Sequence, residues 1–272
     1  MNFTLLGAFR RLDRHQQRSE FYRSWEVVLR EQRDIATSVT LLPEPQGAEM
    51  RAAHAYLQEG VAKGRPVGVI AKLRPDLFPV LDQMLLGAGE SFGTLNDSCR
   101  LLSEYYLHEY ERMTRVRGWT GAPMILYFIA TFAIPFPLVW DRGTPAYSAA
   151  IATSVIALFL LGGVPVSLLY SFAERRDSIR RPRFAWTLAM GLEGGLTFAG
   201  ALRLAATVSD MTDVGRALDR VPPKELKAMT LTKMCETAGV WPAMLEQVRK
   251  ADEASEYLST LRVFAAGLES PP

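Results

Sequence analysis

GWTGAPMILYFIATFAIPFPLVW, residues 118–140, and GTPAYSAAIATSVIALFLLGGVPVSLLYSFA, residues 143–173, contain no Asp, Glu, Lys or Arg. Each run reaches the roughly 20 residues that a helix needs to cross a bilayer core. Only Asp141 and Arg142 separate them, so the two expected spans, near 121–140 and 147–172, form an antiparallel hairpin. Trp140 and Tyr147 fall at the turn, and Trp119 and Tyr170 near the opposite ends, where aromatic rings favour a membrane interface. Pro123, Pro135, Pro137, Gly162, Gly163 and Pro165 read as kinks that neighbouring helices can re-satisfy. Arg112, Arg115 and Arg117 precede the first run, and Arg175, Arg176, Arg180, Arg181 and Arg183 follow the second, while the turn holds only Arg142. The positive-inside rule therefore expects a multi-pass protein with both flanking segments, and both termini, in the cytoplasm.

The flanks are long enough to bury cores of their own, since the chain has 272 residues, 49% of them apolar. Its 31 basic and 29 acidic residues leave a net charge of +2, which gives no reason to expect nucleic acid as a partner. Cys99 and Cys235 are far apart and lack CxxC spacing, so neither a metal site nor a disulfide framework is expected. They read instead as small buried apolar residues of a reducing compartment. Residues 1–18, MNFTLLGAFRRLDRHQQR, show no small-residue cleavage site. Phe3, Leu5, Leu6, Phe9 and Leu12 alternate there with Arg10, Arg11 and Arg14, the pattern of a basic amphipathic helix or of a docked end.

Apolar residues in both flanks recur at helical spacing, and no alternating strand pattern occurs. In residues 19–117 the series is Phe78, Leu81 and Leu85, then Leu95, Cys99, Leu102, Tyr106 and Tyr110. In residues 182–268 it is Phe184, Leu188 and Leu192, then Phe198, Leu202 and Ala205, then Leu245, Val248, Leu258 and Leu261. The expected fold class is all-α: two cytoplasmic antiparallel helix-bundle modules joined by the hairpin of 118–173. The modules also read as copies of one another. GAGESFGTL at 87–95 matches KMCETAGVW at 233–241, pairing Glu90 with Glu236 and Gly93 with Gly239, and Phe21 to Trp25 matches Phe184 to Thr187. On that pairing the second copy is shorter in its middle.

The stretch GVAKGRPVGVIAKLRPDLFPVLDQMLLGAGESFGTL, 60–95, resembles the GspF/PilC family of inner-membrane platform proteins from type II secretion systems and type IV pili. The element Gly89-Glu90-x-x-Gly93-x-Leu95, placed after Leu77, Phe78 and Pro79, carries most of the likeness. RFAWTLAMGLEGGLTFAGALRLAA, 183–206, is similar to the family's opening helix, glycine turn (Gly194, Gly195) and second helix. The resemblance implies a non-enzymatic assembly platform in a prokaryotic inner membrane, without a cofactor. It also implies contact with a hexameric assembly ATPase, pilin or pseudopilin subunits, other inner-membrane assembly components, the lipid bilayer and further copies of the chain. The sequence departs from the pattern at several places. The family's third transmembrane helix has no counterpart within residues 1–272, whether by nature or by truncation, QRDIAT at 32–37 lacks the glycine turn, Cys235 stands opposite Gly89, and Trp241 stands opposite Leu95. A divergent or shortened member, or a degenerate paralogue acting as a scaffold, is what these departures imply.

Gly89 to Gly93 also fits the G-x-S-x-G elbow of a serine hydrolase, which makes a membrane-anchored hydrolase using Ser91 the alternative. That elbow needs a strand before it, whereas Val80 to Leu86 continues a helical pattern. The structural expectation is that Gly89 ends one helix in the left-handed conformation, that Glu90 and Ser91 face the start of the next, and that Gly93 permits close packing. His15, His54 and His108 lack metal-ligand spacing, and no GxxxxGK[ST] loop occurs.

Overall fold

The computed structural model describes residues 5–31, 34–133, 177–254 and 256–269, and every regular element among these residues is a helix. They are α1 (Leu5–Glu31), α2 (Ile35–Leu41), α3 (Ala48–Ala62), α4 (Val67–Leu73), α5 (Val80–Phe92) and α6 (Leu95–Ala133). There follow α7 (Asp177–Glu193), α8 (Phe198–Val208), α9 (Thr212–Asp219), α10 (Pro223–Ala228), α11 (Leu231–Thr237), α12 (Pro242–Ala254) and α13 (Tyr257–Glu269). The all-α expectation is met among the described residues.

The chain divides into two compact units, one of residues 1–16 and 106–174, the other of 17–105 and 175–272. Within the first, the His15 ring stacks on Tyr106 at 5.7 Å, and Arg112 pairs with the nearly buried Glu109. The second holds two helical sets, one before and one after the uncharged runs.

The expected multi-pass inner-membrane location, with both termini cytoplasmic, is corrected. Among the described residues no helix is long and apolar enough to cross a membrane. Among these residues the longest helix is α6, at 39 residues, and its first half carries Asp97, Arg100, Glu104, Glu109, Glu111 and Arg112, more charge than a bilayer core accepts. The remainder of both expected spans lies outside the described residues.

The first set buries one aromatic-rich core. Phe21, Tyr22 and Trp25 of α1, Val39 of α2, Leu57 of α3, Ile70 of α4, Phe78, Leu85 of α5 and Leu102 of α6 are each at most 3% exposed. The second set closes around Phe184, Leu188, Leu202, Leu231, Met244, Val248 and Leu261. This core is built only from residues after 183.

One constant displacement in sequence carries the first set onto the second. Phe21 falls on Phe184, the start of α2 on the start of α8, Phe78-Pro79 on Trp241-Pro242, Leu81 on Met244, Leu85 on Val248, and Leu95 on Leu258. Each member of these core pairs that has a helical inward position is buried, except that Leu258 is 37% exposed and Trp241 is half-buried. Helices α4 and α11 both have seven residues, and α5 and α12 both have 13. Even the backbone at the entry to the third helix repeats, with Gly47 at φ 87° and Asp210 at φ 57°; Asp210 is the one non-glycine at positive φ among the described residues. Asp tolerates this region better than most residues because its side chain can bond locally.

Candidate functional site

The sequence motif at 89–95 folds into the junction of α4, α5 and α6. Glu90 lies in the last turn of α5, and its carboxylate reaches back across the bundle. Oε1 accepts from the Val67 N–H at 2.7 Å and Oε2 from the Gly68 N–H at 2.9 Å. These are amides of the first turn of α4, which have no partner inside their own helix and attract negative charge. The approach is possible because the two helices touch at backbone: a Cβ on Gly68 would stand 2.6 Å from the Gly87 Cα.

This arrangement reverses three local expectations. Glu90 caps α4, not the helix that follows it. Ser91 is exposed and donates to the Gly87 carbonyl at 2.7 Å, within its own helix. Gly89 is buried inside α5, where an added Cβ would lie 2.2 Å from Ser98 Oγ, so it is the close-packing glycine. Gly93 instead takes the left-handed conformation (φ 70°) that ends α5, with Thr94 N–H donating to the Gly89 carbonyl at 2.7 Å. Leu95 then opens α6 with its side chain 5% exposed.

In the second set the acid that plays Glu90's part is Asp252. Its carboxylate accepts from the Thr232 N–H at 3.1 Å, at the start of α11, and also from the Thr232 and Tyr257 hydroxyls. Glu236 is exposed near the end of α11, and Gly239 (φ 68°) turns the chain after it. Glu236 and Gly239 therefore share a left-handed turn with Glu90 and Gly93 without occupying the corresponding place, and the second copy is not shortened in the way that pairing suggested. Burial and the Asp252 carboxylate push the Tyr257 hydroxyl up to about 12. Burial, with Asp252 and Glu236 nearby, pushes the Cys235 thiol up to about 12 as well. Burial, with the charges of Glu26 and Asp82, holds the Cys99 thiol well above its ordinary range. Both cysteines thus sit as neutral, inaccessible thiols.

Gly194 and Gly195 bring the two sets together. Gly195 is left-handed (φ 79°), and an added Cβ there would meet the Phe92 ring at 3.1 Å. One on Gly194 would stand 2.6 Å from Leu85 Cδ2. Beside this contact, Glu193 at the end of α7 accepts from Arg100 of α6 (2.6 Å) and Arg262 of α13 (2.6 Å). Arg100 also bonds Glu104 at 2.7 Å, and Arg262 approaches Glu104 at 3.3 Å. Burial works against the Arg100 charge, and the Glu193 and Glu104 carboxylates more than offset it, so the guanidinium stays protonated.

A second polar group lies inside the first set. Arg18 of α1 donates to Asp82 of α5 (2.8 Å), Glu49 of α3 (2.7 Å) and the Leu77 carbonyl (2.8 Å), and Tyr22 donates to Asp82 at 2.7 Å. Arg18, Asp82, Arg100, Glu193, Asp252 and Arg262 are all missed by motif reading. The repeated Phe78-Pro79 and Trp241-Pro242 dipeptides fix a displacement that carries Glu90 onto Glu253, the immediate neighbour of Asp252, so they lead to the right turn of α12 but not to the residue itself.

A scan against protein-family models and a search of curated proteins both found no match.

Proposed function

We propose that this chain is a non-enzymatic assembly platform of the GspF/PilC kind, coupling a hexameric assembly ATPase to the extraction or polymerisation of pilin or pseudopilin subunits. The observation that carries the reading is the repeated plan: two helical sets with equal α4/α11 and α5/α12 lengths, each closed by an acid that reaches back to the start of the seven-residue helix. A protein that relays motion between partners needs rigid bodies with broad helical faces more than a reactive cleft, and duplication supplies two such bodies. On this reading the uncharged runs at 118–140 and 143–173 form a helical hairpin that ties the two sets, and further copies of the chain and other assembly components complete the machine.

The test is co-purification of the tagged full chain with a hexameric assembly ATPase from the same cells, together with pilus or secretion assays in a deletion strain. Recovery of the ATPase and loss of assembly are expected. Neither being seen rules the reading out. Ser91→Ala separates the hydrolase alternative: a platform carrying it complements the deletion fully, whereas a hydrolase using Ser91 does not.

A further inference from the structure

Arg100, Glu193, Arg262 and Glu104 close a four-membered ring of alternating charge, each side chain touching the next. Arg100 and Glu104 belong to the first helical set, Glu193 and Arg262 to the second. Their side chains are 18–43% exposed, so the ring is neither dry nor fully wet. The apolar contact next to it is made by the Gly194-Gly195 turn against Leu85 and Phe92 and by α8 against α5, and Phe92 itself remains 64% exposed. Each set meanwhile keeps a core of its own, and no core residue of the second comes from the first.

From this combination we infer that the charge ring is a salt-sensitive clasp at which the two helical sets part and re-engage as intact bodies. Bodies with separate cores can separate without either one unfolding. Partly exposed ion pairs are the interactions that salt weakens most, so they supply a contact whose strength follows its surroundings. Replacing Glu193 by arginine brings a third positive charge beside Arg100 and Arg262, which Glu104 alone cannot balance. The inference stands on the ring and the two cores, and does not depend on the platform reading.

The test is a distance measurement in the purified full chain carrying Val69→Cys and Arg249→Cys, both at exposed positions, one in each set. Spin labels attach there selectively because Cys99 and Cys235 are buried. At about 0.01 M salt, where the screening length is about 30 Å, one narrow distance is expected. At about 1 M salt, where it is about 3 Å, the distribution lengthens and broadens while helical circular dichroism stays constant. Glu193→Arg gives the broad distribution already at low salt. Inverting all four charges (Arg100→Glu, Glu104→Arg, Glu193→Arg, Arg262→Glu) restores the narrow one. A distribution that stays narrow in high salt, or that broadens only with loss of helical signal, overturns the inference. Because the salt titration needs no change to the ring, it decides the matter even where Glu193→Arg fails to fold.

Discussion

Arg18 and Arg181 occupy corresponding turns of α1 and α7, and their surroundings could hardly differ more. Arg18 is 5% exposed, enclosed by Asp82, Glu49 and the Leu77 carbonyl, with Tyr22 completing the group. In the second set the places of Asp82 and Tyr22 are taken by Leu245 and Ala185, and among the described residues no acid of this set is fully buried. Arg181 accordingly turns outward, pairs with Asp177 one turn earlier and lies over the Trp241 ring at 5.5 Å. Two copies of one backbone plan are thus closed by different chemistry, a buried ionic group in one and aliphatic packing in the other. The lesson is that helix lengths, turns and buried positions hold the plan together, and that the polar interior is a replaceable filling.

The largest test of that contrast is to give the first set the second set's residue. Asp82→Leu leaves Arg18 without its central partner and is expected to destabilise by about 3–5 kcal/mol, read as a shift of the urea midpoint. Adding Arg18→Met in the same chain is expected to recover most of the loss, which a purely steric effect of the introduced leucine would not allow. Next come the glycines. Gly89→Ala forces a Cβ to within 2.2 Å of Ser98 Oγ and is expected to cost about 1–3 kcal/mol. Gly93→Ala has open space but a left-handed backbone, costing about 1–2 kcal/mol. Gly267→Ala, in open space on α13, should stabilise by about 0.5–1 kcal/mol.

Smaller again is the pair of acidic caps. Glu90→Ala is expected to cost about 0.5–2 kcal/mol and to speed amide exchange at Val67 and Gly68. Asp252→Ala should act likewise at Thr232, leaving the α4 amides unchanged. The smallest effect at neutral pH is an alkaline one, to which Cys99 of the first set and Tyr257 and Cys235 of the second contribute with the same sign. Tyr257 and Cys235 titrate at about 12 when folded, above their ordinary values of 10.0 and 9.0. The unfolded chain therefore releases these protons first, and stability falls as pH rises from about 9 to about 12, with no contribution below that window. Tyrosinate absorbance and urea midpoints across the range measure it, and Tyr257→Phe should flatten part of the slope.

Much of the architecture was legible in the chain. Leu95, Cys99, Leu102 and Tyr106 recur at helical spacing and all four are buried on one face of α6, and the same holds for Phe184 and Leu188 on α7. The duplication expected from the sequence pairs Glu90 with Glu236, whereas the helix order pairs the two sets in another register. Matching Glu90 to Glu236 followed a shared acid and a shared left-handed glycine, features that any helix end can acquire. The proline after an aromatic residue, Pro79 and Pro242, is the rarer signal, because it fixes where a helix starts. What could not be read was Glu90's reach to Val67 and Gly68, since a contact over so many residues depends on how α4 lies on α5. The charge ring was hidden for the same reason, its members being drawn from three helices. The uncharged runs pointed to a membrane location that the described helices do not bear out, because α6 enters its uncharged part from a long charged half.

The bare contact between Gly68 and Gly87 has a mechanical side. With no side chain between them, α4 and α5 meet backbone to backbone, and the Glu90 carboxylate bolts one end of the pair. At this one point no side chain separates the helices, so no change of rotamer can let the contact give. The pair should deform as a single stiff strut, so that a load applied at the exposed face of α4, where Val69 and Leu73 stand, arrives undiminished at Leu85 and the neighbouring helices.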